Sequence, residues 1–476
     1  MIGSEAAGDL ARAIEQANAF VSARILRSYQ RDIALKGGFS LCSPFDGKPV
    51  SAAACHIFNL GDAAHGNLGI AYRFAGPRPL WLLASSVKDG FPLTEAYLPT
   101  EDTSIWSLDE NLTALHGPWK SALRRLELGG RSWPYSRPAH QPTVLVGHPN
   151  FAHHLWNELP ALWACRALAE EEGLPAPRVQ AIYEPLLPVT RLLPHSAPPV
   201  ARVSTFGEVT GVHDRLVTRL GSTRVTASLR ARVLASLPDE ATGRPSFVDS
   251  QERLTNCSPV FWLSVRVDAR TADNQEDFLL SLVPALASAH PRCGFIIDGF
   301  SYPADFSHGI YRQGEPDAGS ESQGEGRGFL GSAMRVRERA VGAAIDALTR
   351  QLEQRCDNPL VVVSGRDLPE AIALAGRADY YICHAGTLQH KVAWLHNIPG
   401  MVHANRVGLR PGAARWLADQ LENGRAPSLV SPEAVDDLDT IRMANQVERN
   451  RDYHFIDIPG VVAAILADVD RVLGAG

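Results

Sequence analysis

The sequence lacks the short motifs that identify many nucleotide-binding and metal-binding proteins. It contains neither a G-x-G-x-x-G nor a G-x-x-x-x-G-K-[ST] pattern, which disfavours a dinucleotide-dependent enzyme and a P-loop ATPase. Its 7 cysteines are odd in number, stand far apart and form no C-x-x-C pair, which disfavours a structural zinc site and a disulfide framework. No apolar run reaches the roughly 18 residues of a membrane-spanning helix.

The charge balance disfavours a nucleic-acid-binding protein, and residues 1–30 disfavour a signal peptide. The net charge of −6 and the pI of about 6.2 lack the basic surplus that is typical of nucleic-acid-binding domains. Residues 1–30 contain no continuous apolar segment, because Arg12, Glu15, Arg24 and Arg27 interrupt it, and we expect no signal peptide. Together with the cysteine usage, this predicts a cytoplasmic protein, and peripheral contact with a membrane surface stays open.

The 476 residues are enough for two or three domains, and the pattern of apolar and polar residues changes along the chain. Before residue 141, a predicted helix at 5–34 precedes short apolar runs separated by turn residues, which predicts a β-rich extension. Residues 141–405 alternate apolar runs with amphipathic segments, as in parallel sheets covered by helices. The polar stretch 238–258 is the predicted linker, and the loop 301–328 is long enough to be either functional or disordered.

One predicted strand-to-helix junction has the features of a phosphate site. The strand that ends at His384 feeds a helix through Gly386, which permits a tight turn and close approach of a ligand. Thr387 is predicted to cap that helix, whose first amides and dipole favour an anion. Lys391 lies one turn later, on a face that we expect to be open. An ordinary capped helix with an exposed lysine fits the same pattern, and both interpretations stay open.

Further polar residues end neighbouring predicted strands. Arg266 follows the apolar run 260–265, and its planar guanidinium suits a diphosphate. Asp298 and Ser364 end two more predicted strands. The carboxyl ends of parallel strands meet at one edge of a sheet, where ligands collect, so these residues are candidates for the same site. Capping of a helix or a turn is the alternative for each of them.

A histidine-rich stretch, GHPNFAHHLWNELPALW, is predicted to be a strand end followed by a helix. Its candidate residues are His148, Asn150, His153, His154, Asn157 and Glu158. Spacing of four residues pairs His153 with Asn157 and His154 with Glu158, and a carboxylate beside an imidazole tunes a general base. Surface histidines, or a buried network that only positions the helix, are the alternatives. No third ligand accompanies the His/Glu pair, so we expect no metal site.

These two stretches resemble a known family. NFAHHLWNELPAL is similar to the Asn-Phe-Gly-His…Asp-Glu-Leu-Pro signature of the glycosyltransferase 61-like group, and CHAGTLQHKVAWL resembles that group's later His-Gly-Ala-Gly-Leu element. The resemblance implies an α/β fold of the GT-B type, with two Rossmann-like domains whose parallel sheets face a central cleft. We expect the two domains at 141–245 (acceptor side) and 258–430 (nucleotide-sugar side). The sequence pattern adds an N-terminal helix and β-rich extension (1–140) packed on the acceptor domain, which resembles no part of that group, and a C-terminal helical segment crossing back (431–476).

The resemblance also implies an activity. It predicts a glycosyltransferase that moves a sugar from a nucleotide-sugar donor to a glycan, protein or small-molecule hydroxyl, with inversion, without metal or cofactor, and with no nucleic-acid partner. We assign catalytic roles to His153, His154 and Glu158, donor binding to Arg266, His384, Gly386, Thr387 and Lys391, and acceptor binding to His148, Asn150 and Asn157. Among them, Asn150, His153, Glu158 and Gly386 match the group's motifs, whereas Thr387 and Lys391 are not its typical letters. Because Asn157 stands where the group commonly has aspartate, an inactive sugar- or nucleotide-binding scaffold stays open. So does a GT-B-like transferase of another group, such as pyruvyl.

Overall fold

The computed structural model describes two compact units of the chain. The described residues are 4–59, 68–76, 78–109, 116–129, 142–193, 200–203, 205–213, 216–307, 311, 330–439 and 451–474. The first unit comprises the described parts of Met1–Val225 and Ser307–Leu330, and the second those of Thr226–Phe306 and Gly331–Gly476. Most of the predicted loop 301–328 lies outside the described residues.

The first unit combines many short strands with a few helices. Its strands are β1 (Phe20–Ser22), β2 (Leu26–Arg27), β3 (Ser40–Cys42), β4 (Pro49–Asn59), β5 (Leu68–Phe74), β6 (Leu80–Ala84), β7 (Leu93–Leu98), β8 (Thr103–Ser107), β9 (Thr143–Val146), β10 (Arg178–Ala181), β11 (Val200–Arg202), β12 (Gly211–His213) and β13 (Val217–Arg219). Its helices are α1 (Ser4–Asn18), α2 (Ser28–Lys36), α3 (Gly117–Leu128), α4 (Phe151–His153, His154–Glu158 and Leu159–Glu171) and α5 (Val189–Leu192), with single 3₁₀ turns at Val87–Asp89 and Phe206–Glu208.

Two larger sheets organise the first unit. An antiparallel sheet has the order β12-β4-β5-β6-β7-β8, with β3 added beside β4. A parallel sheet has the order β11-β10-β9-β13. The predicted β-α-β arrangement in this region is confirmed, because β9 and β10 pair in parallel and α4 connects them.

Helix α4 contains a π turn within the histidine-rich stretch. Residues His154–Glu158 form this wider turn, in which the N–H of Leu159 reaches the carbonyl of His154. Pro160 follows after Leu159, and a proline has no N–H to donate to the preceding turn. The wider turn accommodates that missing donor, and single π turns occur frequently at functional sites.

The second unit contains a parallel sheet and, separate from it, an antiparallel pair formed by its last two strands. Its strands are β14 (Val260–Ser264), β15 (Gly294–Asp298), β16 (Leu360–Val362), β17 (Tyr380–His384), β18 (Gly400–His403), β19 (Ser428–Leu429), β20 (Val435–Asp437) and β21 (Tyr453–Phe455). Its helices are α6 (Ala227–Ala235), α7 (Asp239–Thr242), α8 (Pro245–Leu254), α9 (Gln275–Ala289), α10 (Leu330–Leu352), α11 (Leu368–Ala375), α12 (Thr387–His396), α13 (Ala413–Asp419) and α14 (Ile458–Leu473), with a 3₁₀ turn at Pro432–Ala434.

The predicted parallel sheet is confirmed in this unit. The order is β16-β15-β14-β17-β18-β19, and each neighbouring pair is parallel. Side chains alternate between two buried faces, because Phe261 packs with Phe278 in one core cluster and Trp262 packs with Tyr381 in another. Burial on both faces explains why these strands appear in the sequence as uninterrupted apolar runs.

The predicted linker 238–258 differs from the structure. The stretch lies inside the second unit, which begins at Thr226, and it includes helices α7 and α8. Helix α8 begins with Pro245 in its first turn, which fixes a helical φ, and it buries Ser250 and Leu254. A helix that buries so few apolar residues leaves little periodic signal in a sequence.

Candidate functional site

The junction between β17 and α12 has the backbone that close ligand contact requires. Gly386 has a φ of +113°, which side chains of L-residues rarely allow. A Cβ atom added to Gly386 would lie only 3.1 Å from Nη1 of Arg270. Residues 385–387 are half-buried, so the turn remains partly accessible. The start of α12 is therefore open to a small group and has a guanidinium beside it.

Thr387 does not cap this helix, and that prediction is wrong. Gly386 occupies the cap position and has no side chain that could bond to the helix. Thr387 is the first helical residue. The chain turns at Gly386 because of its positive φ, so helical geometry begins one residue earlier than expected. A cap without a side chain leaves room for a ligand oxygen at the first amides.

Lys391 lies inside the second unit, and the prediction of an open face is wrong. It is 2% exposed. Its Nζ lies 2.6 and 2.8 Å from the two carboxylate oxygens of Asp298 and 2.9 Å from the hydroxyl of Ser301. Helix α12 is buried on both sides, which the sequence could not show. Because its charge is already matched by Asp298, Lys391 supports the junction and is not the cation that receives a ligand.

Arg266 follows β14 at the carboxyl edge of the sheet, as its position in the sequence predicts. Its backbone N–H donates to Oε1 of Gln275 at 3.0 Å, and its Nε–H donates to the carbonyl of Ala269 at 2.7 Å. The same loop is fastened at Thr271, whose N–H donates to Oδ1 of Asp452 at 2.9 Å. These bonds fix the loop 265–274 before any ligand arrives, which lowers the entropy lost on binding.

Arg270 is a candidate that the sequence reasoning missed. It has a φ of +68°, a left-handed conformation that is uncommon for a residue with a long side chain. Its guanidinium lies against Gly386. Burial lowers the pKa of His384 well below its ordinary value, and His403, Arg266 and Arg270 lower it further through their charges. The residues next to Arg270 in the sequence do not distinguish it from a surface arginine.

A third guanidinium reaches the same loop. Arg337 lies on α10, within the cluster RVRER at 335–339 that the sequence suggests is a solvated face. Its Nη2 is 2.7 Å from Oδ2 of Asp268, and Oδ1 of Asp268 is 2.6 Å from Nε of Arg266. Burial lowers the pKa of Arg337, Asp268 opposes this, and the charge of Arg266 adds to it. We call Arg266, Arg270 and Arg337 the arginine cluster.

His384 and His403 end adjacent strands beside the arginine cluster. The two residues are register partners in β17 and β18, and their ring centroids lie 4.3 Å apart. Burial lowers the pKa of His403 to about 3, so both imidazoles are neutral near pH 7. The hydroxyl of Ser264 accepts the backbone N–H of His384 at 2.9 Å and lies 3.0 Å from Nδ1 of the His384 ring. Within the described part of the chain, Nε2 of His384 is buried without a hydrogen-bond partner.

Ser364 has the turn-capping role that is the alternative to a site role. Its hydroxyl accepts the N–H of Phe300 at 3.1 Å, and this bond closes the turn after β15. The nearby Asp298 is committed to Lys391. Two of the predicted strand-end residues are therefore used to support the carboxyl edge of the sheet.

In the first unit, Glu158 is the centre of a buried hydrogen-bond network. Its Oε2 accepts the N–H groups of Gly147 and His148 at 2.8 Å each and lies 2.9 Å from Nδ1 of His154. Its Oε1 accepts from Nε of Arg219 at 2.8 Å. Burial raises the pKa of Glu158, but the charge of Arg219 and the hydrogen bond from His154 outweigh it and lower the pKa to about 2.

This network argues against Glu158 and His154 as the general base. Both residues are 0% exposed. A carboxylate with a pKa of about 2 does not take up a proton near neutral pH. The network joins the end of β9 to helix α4 and to Arg219 at the end of β13. It fits the alternative interpretation, in which buried polar groups position the helix.

His153 has the geometry of a general base. Its Nδ1 lies 2.9 Å from Oδ1 of Asn157. The amide nitrogen of Asn157 donates to the carbonyls of Ser222 at 2.6 Å and Lys88 at 3.4 Å, which turns the amide oxygen toward the imidazole. An acceptor at Nδ1 assigns the proton to Nδ1 and leaves the lone pair on Nε2. Burial lowers the pKa of His153, although Asn157 and Glu158 oppose this, and so the ring is neutral.

His148 and Asn150 shape the turn that leads to His153. Asn150 caps α4 as predicted, because its Oδ1 accepts the N–H of Ala152 at 2.9 Å. Its own N–H donates to Nδ1 of His148 at 3.0 Å. The ring of His148 lies against that of His153, with centroids 4.7 Å apart. The structure thus brings both residues close to His153, and their contact with an acceptor stays a prediction.

The described residues include neither a candidate metal site nor a helix that could span a membrane. No group of three or more His, Cys, Asp or Glu side chains among them is arranged to hold a metal ion. None of the helices in these parts of the chain is both long and apolar enough to cross a membrane.

Comparison with known proteins gives only remote likenesses. No family model matches the chain, and no curated protein matches it. Among solved structures, it is similar to a glycosyl transferase family 9 protein from Veillonella parvula, with 8% identity and a TM-score of 0.31 over 60% of this chain and 85% of that chain. It is also similar to the UDP-GlcNAc 2-epimerase of Methanocaldococcus jannaschii, with 12% identity and a TM-score of 0.26 over 70% and 77%. A third likeness is to MnaA of S. aureus in a UDP co-structure, with 10% identity and a TM-score of 0.23 over 60% and 62%.

These TM-scores are too low for the likenesses to carry an argument about fold or activity. The resemblance to the glycosyltransferase 61-like group stays a prediction, since no family model matches.

Proposed function

We propose that the protein is a glycosyltransferase that moves a sugar from a nucleotide-sugar donor to a hydroxyl acceptor, with inversion and without a metal ion. The observation that carries the proposal is that the guanidinium of Arg270 lies against the turn at Gly386, while the charges of Arg266 and Arg270 both act on the neighbouring His384. Guanidinium groups at the carboxyl edge of a parallel sheet, beside the open start of a helix, suit a diphosphate.

In this proposal the second unit binds the donor. The first amides of α12 and the guanidinium of Arg270 receive the diphosphate, and Arg266 adds a second positive charge. The Ser264 hydroxyl donates to Nδ1 of His384, which leaves an N–H at Nε2 to donate to a phosphate oxygen. Fixed donors and cations of this kind stabilise the charge that develops on a departing nucleoside diphosphate.

The first unit supplies the base in the same proposal. Nε2 of His153 removes the proton of the acceptor hydroxyl, and Asn157 holds the imidazole in the tautomer that leaves this nitrogen unprotonated. A neutral imidazole is required for this step, and the lowered pKa of His153 supplies it at pH 7. An amide orients the ring as a carboxylate would, but it adds no negative charge to stabilise the imidazolium that forms.

A thermal-shift screen of nucleoside diphosphates and nucleotide sugars first selects ligands. Calorimetry with the selected ligands then tests the donor site. We expect at least one ligand to bind, and we expect Arg270→Ala to weaken it at least tenfold because one charge-assisted contact is lost. Arg415→Ala, at an exposed arginine on α13, is the matched control and should leave the affinity unchanged. Equal binding by both variants, or no binding by the wild type, contradicts the proposed site.

Turnover separates this proposal from the two alternatives. A transferase releases free nucleoside diphosphate when an acceptor is present, whereas a scaffold binds the donor and releases none. A transferase of another group, such as pyruvyl, binds no nucleotide sugar of the panel and binds a donor of that other group when such donors are added to the thermal-shift screen.

A further inference from the structure

We propose that Asp268 is an internal counter-anion of Arg266 and Arg337 in the arginine cluster, which a bound diphosphate displaces. This inference depends on the proposed function, since it assigns an anion to the same edge of the second unit. It adds a competitor within the chain itself, at a residue that neither the motifs nor the resemblance points to.

The contacts of Asp268 are those of a group that occupies an anion position. Its Oδ1 lies 2.6 Å from Nε of Arg266, and its Oδ2 lies 2.7 Å from Nη2 of Arg337. One carboxylate thus bridges two guanidinium groups from different elements. Two oxygens of a diphosphate can bridge the same pair, because guanidinium groups bind carboxylates and phosphates with the same geometry.

The contact with Arg266 is electrostatic rather than a formed hydrogen bond. The Nε–H of Arg266 is directed at the carbonyl of Ala269, at 2.7 Å. Oδ1 of Asp268 accepts no hydrogen bond within the part of the chain that the structure describes. At Arg266 the carboxylate is therefore held by charge, and its departure there breaks no directed hydrogen bond, so a ligand replaces it readily on that side.

Displacement requires only the side chain of Asp268 to move. The backbone around it is fixed, because the carbonyl of Asp268 accepts from the hydroxyl of Thr271 and Arg266 is bonded to Gln275. The side chain of Asp268 is 36% exposed, whereas that of Arg266 is 6% exposed. The carboxylate can therefore rotate toward solvent while the arginine stays in place.

This arrangement has a consequence for ligand selection. Without Asp268, the positive charges of Arg266 and Arg337 repel each other across the loop. The carboxylate relieves that repulsion in the free protein, and a ligand has to replace it. A group with one charge gains little by the exchange, whereas a diphosphate adds charge and a second contact. Asp268 thereby favours diphosphates over small monoanions.

Calorimetry with inorganic pyrophosphate tests the inference, with wild-type protein and the isosteric variant Asp268→Asn. We expect Asp268→Asn to bind pyrophosphate about tenfold more tightly, since one negative charge that competes for the site is removed. The control is Asp273→Asn, because Asp273 lies on the same loop and pairs with His454 instead. Its affinity should stay within about twofold of the wild type.

A double-mutant cycle with Arg337→Ala distinguishes local competition from long-range charge. If Asp268 competes at Arg337, the gain from Asp268→Asn shrinks when Arg337 is replaced, and a gain that persists unchanged overturns the inference. Pyrophosphate binding by the wild type with equal or weaker binding by Asp268→Asn overturns the counter-anion alone. Binding by Asp268→Asn but not by the wild type supports it. No binding by either protein overturns this inference and the anion site of the proposed function together.

Discussion

Nδ1 of His153 lies 2.9 Å from Oδ1 of Asn157, and this amide takes the orienting position that a carboxylate has in many His-based sites. The amide nitrogen is committed to the Ser222 and Lys88 carbonyls, so its oxygen is the atom presented to the ring. The pair therefore fixes a tautomer without adding a negative charge, and the imidazole stays neutral.

Replacing His153 by alanine should reduce kcat by about 10²- to 10⁴-fold, the usual contribution of a general base. Donor affinity should stay within about twofold, since His153 belongs to the first unit and the arginine cluster to the second. Steady-state kinetics and donor calorimetry measure the two effects. His213→Ala, at another histidine of the first unit, is the control. A His153→Ala protein with wild-type kcat would remove His153 as the base.

The pH dependence of kcat/KM should reflect the lowered pKa of His153. Burial disfavours the imidazolium, so the acid limb of the profile should lie below 6.5, the ordinary histidine value. Activity should therefore be level from about pH 7 upward and fall only when the ring is protonated. Asn157→Leu should lower kcat without moving donor affinity, because the tautomer is no longer fixed. An acid limb above pH 7 would contradict this assignment.

Lys391→Met should destabilise the second unit by about 3–5 kcal/mol, because the buried carboxylate of Asp298 loses its partner. Native-state hydrogen exchange of the β17 amides measures the loss. The double variant Lys391→Met, Asp298→Leu should recover much of it, since no buried charge is then left unpaired. Unchanged exchange in Lys391→Met would show that the lysine is not the structural partner of Asp298.

Glu158 should make the stability of the first unit depend on acid. Its pKa is lowered from 4.5 to about 2, so its contribution is present in full above pH 4.5 and is lost as the pH falls toward 2. That shift corresponds to about 3 kcal/mol. Hydrogen exchange of the buried β9 amides between pH 5 and pH 2 should show this loss in the wild type. Glu158→Gln should show a smaller dependence on pH over the same range, and equal slopes would refute the assignment.

Gly386→Ala should weaken diphosphate binding by at least tenfold and lower the stability of the second unit by about 1–2 kcal/mol. The added Cβ meets Nη1 of Arg270 at 3.1 Å, and alanine is strained at a φ of +113°. Calorimetry with pyrophosphate and thermal unfolding measure the two effects. Gly412→Ala is the control, because Gly412 also has a positive φ but no atom lies within 4 Å of its added Cβ. A Gly386→Ala protein that binds pyrophosphate as the wild type does would contradict the role of the turn.

Local patterns were sufficient for the elements and for some site residues. The apolar runs predicted β14, β15, β17 and β18, and the parallel pairing followed from the alternation of strands and helices. The Asn150 cap and the His153–Asn157 pair were visible as spacing along one helix. Spacing could not show which of two adjacent pairs is buried. From the spacing alone, Glu158 and His153 were therefore equal candidates for the general base, although only Glu158 is buried in an ion pair with Arg219.

The sequence by itself determined the periodicity of burial, the turn at Gly386 and the presence of chemistry-bearing residues at strand ends, because these depend on neighbours along the chain. Only the tertiary structure decided which charges face each other. Lys391 meets Asp298, and Arg266 meets Asp268 and, through it, Arg337. Lys391 and Arg337 lie far along the chain from Asp298 and Asp268, so the packing of strands and helices brings these two pairs together, whereas Arg266 is a near neighbour of Asp268 in one loop. The strength of each pair depends on the burial that this packing creates.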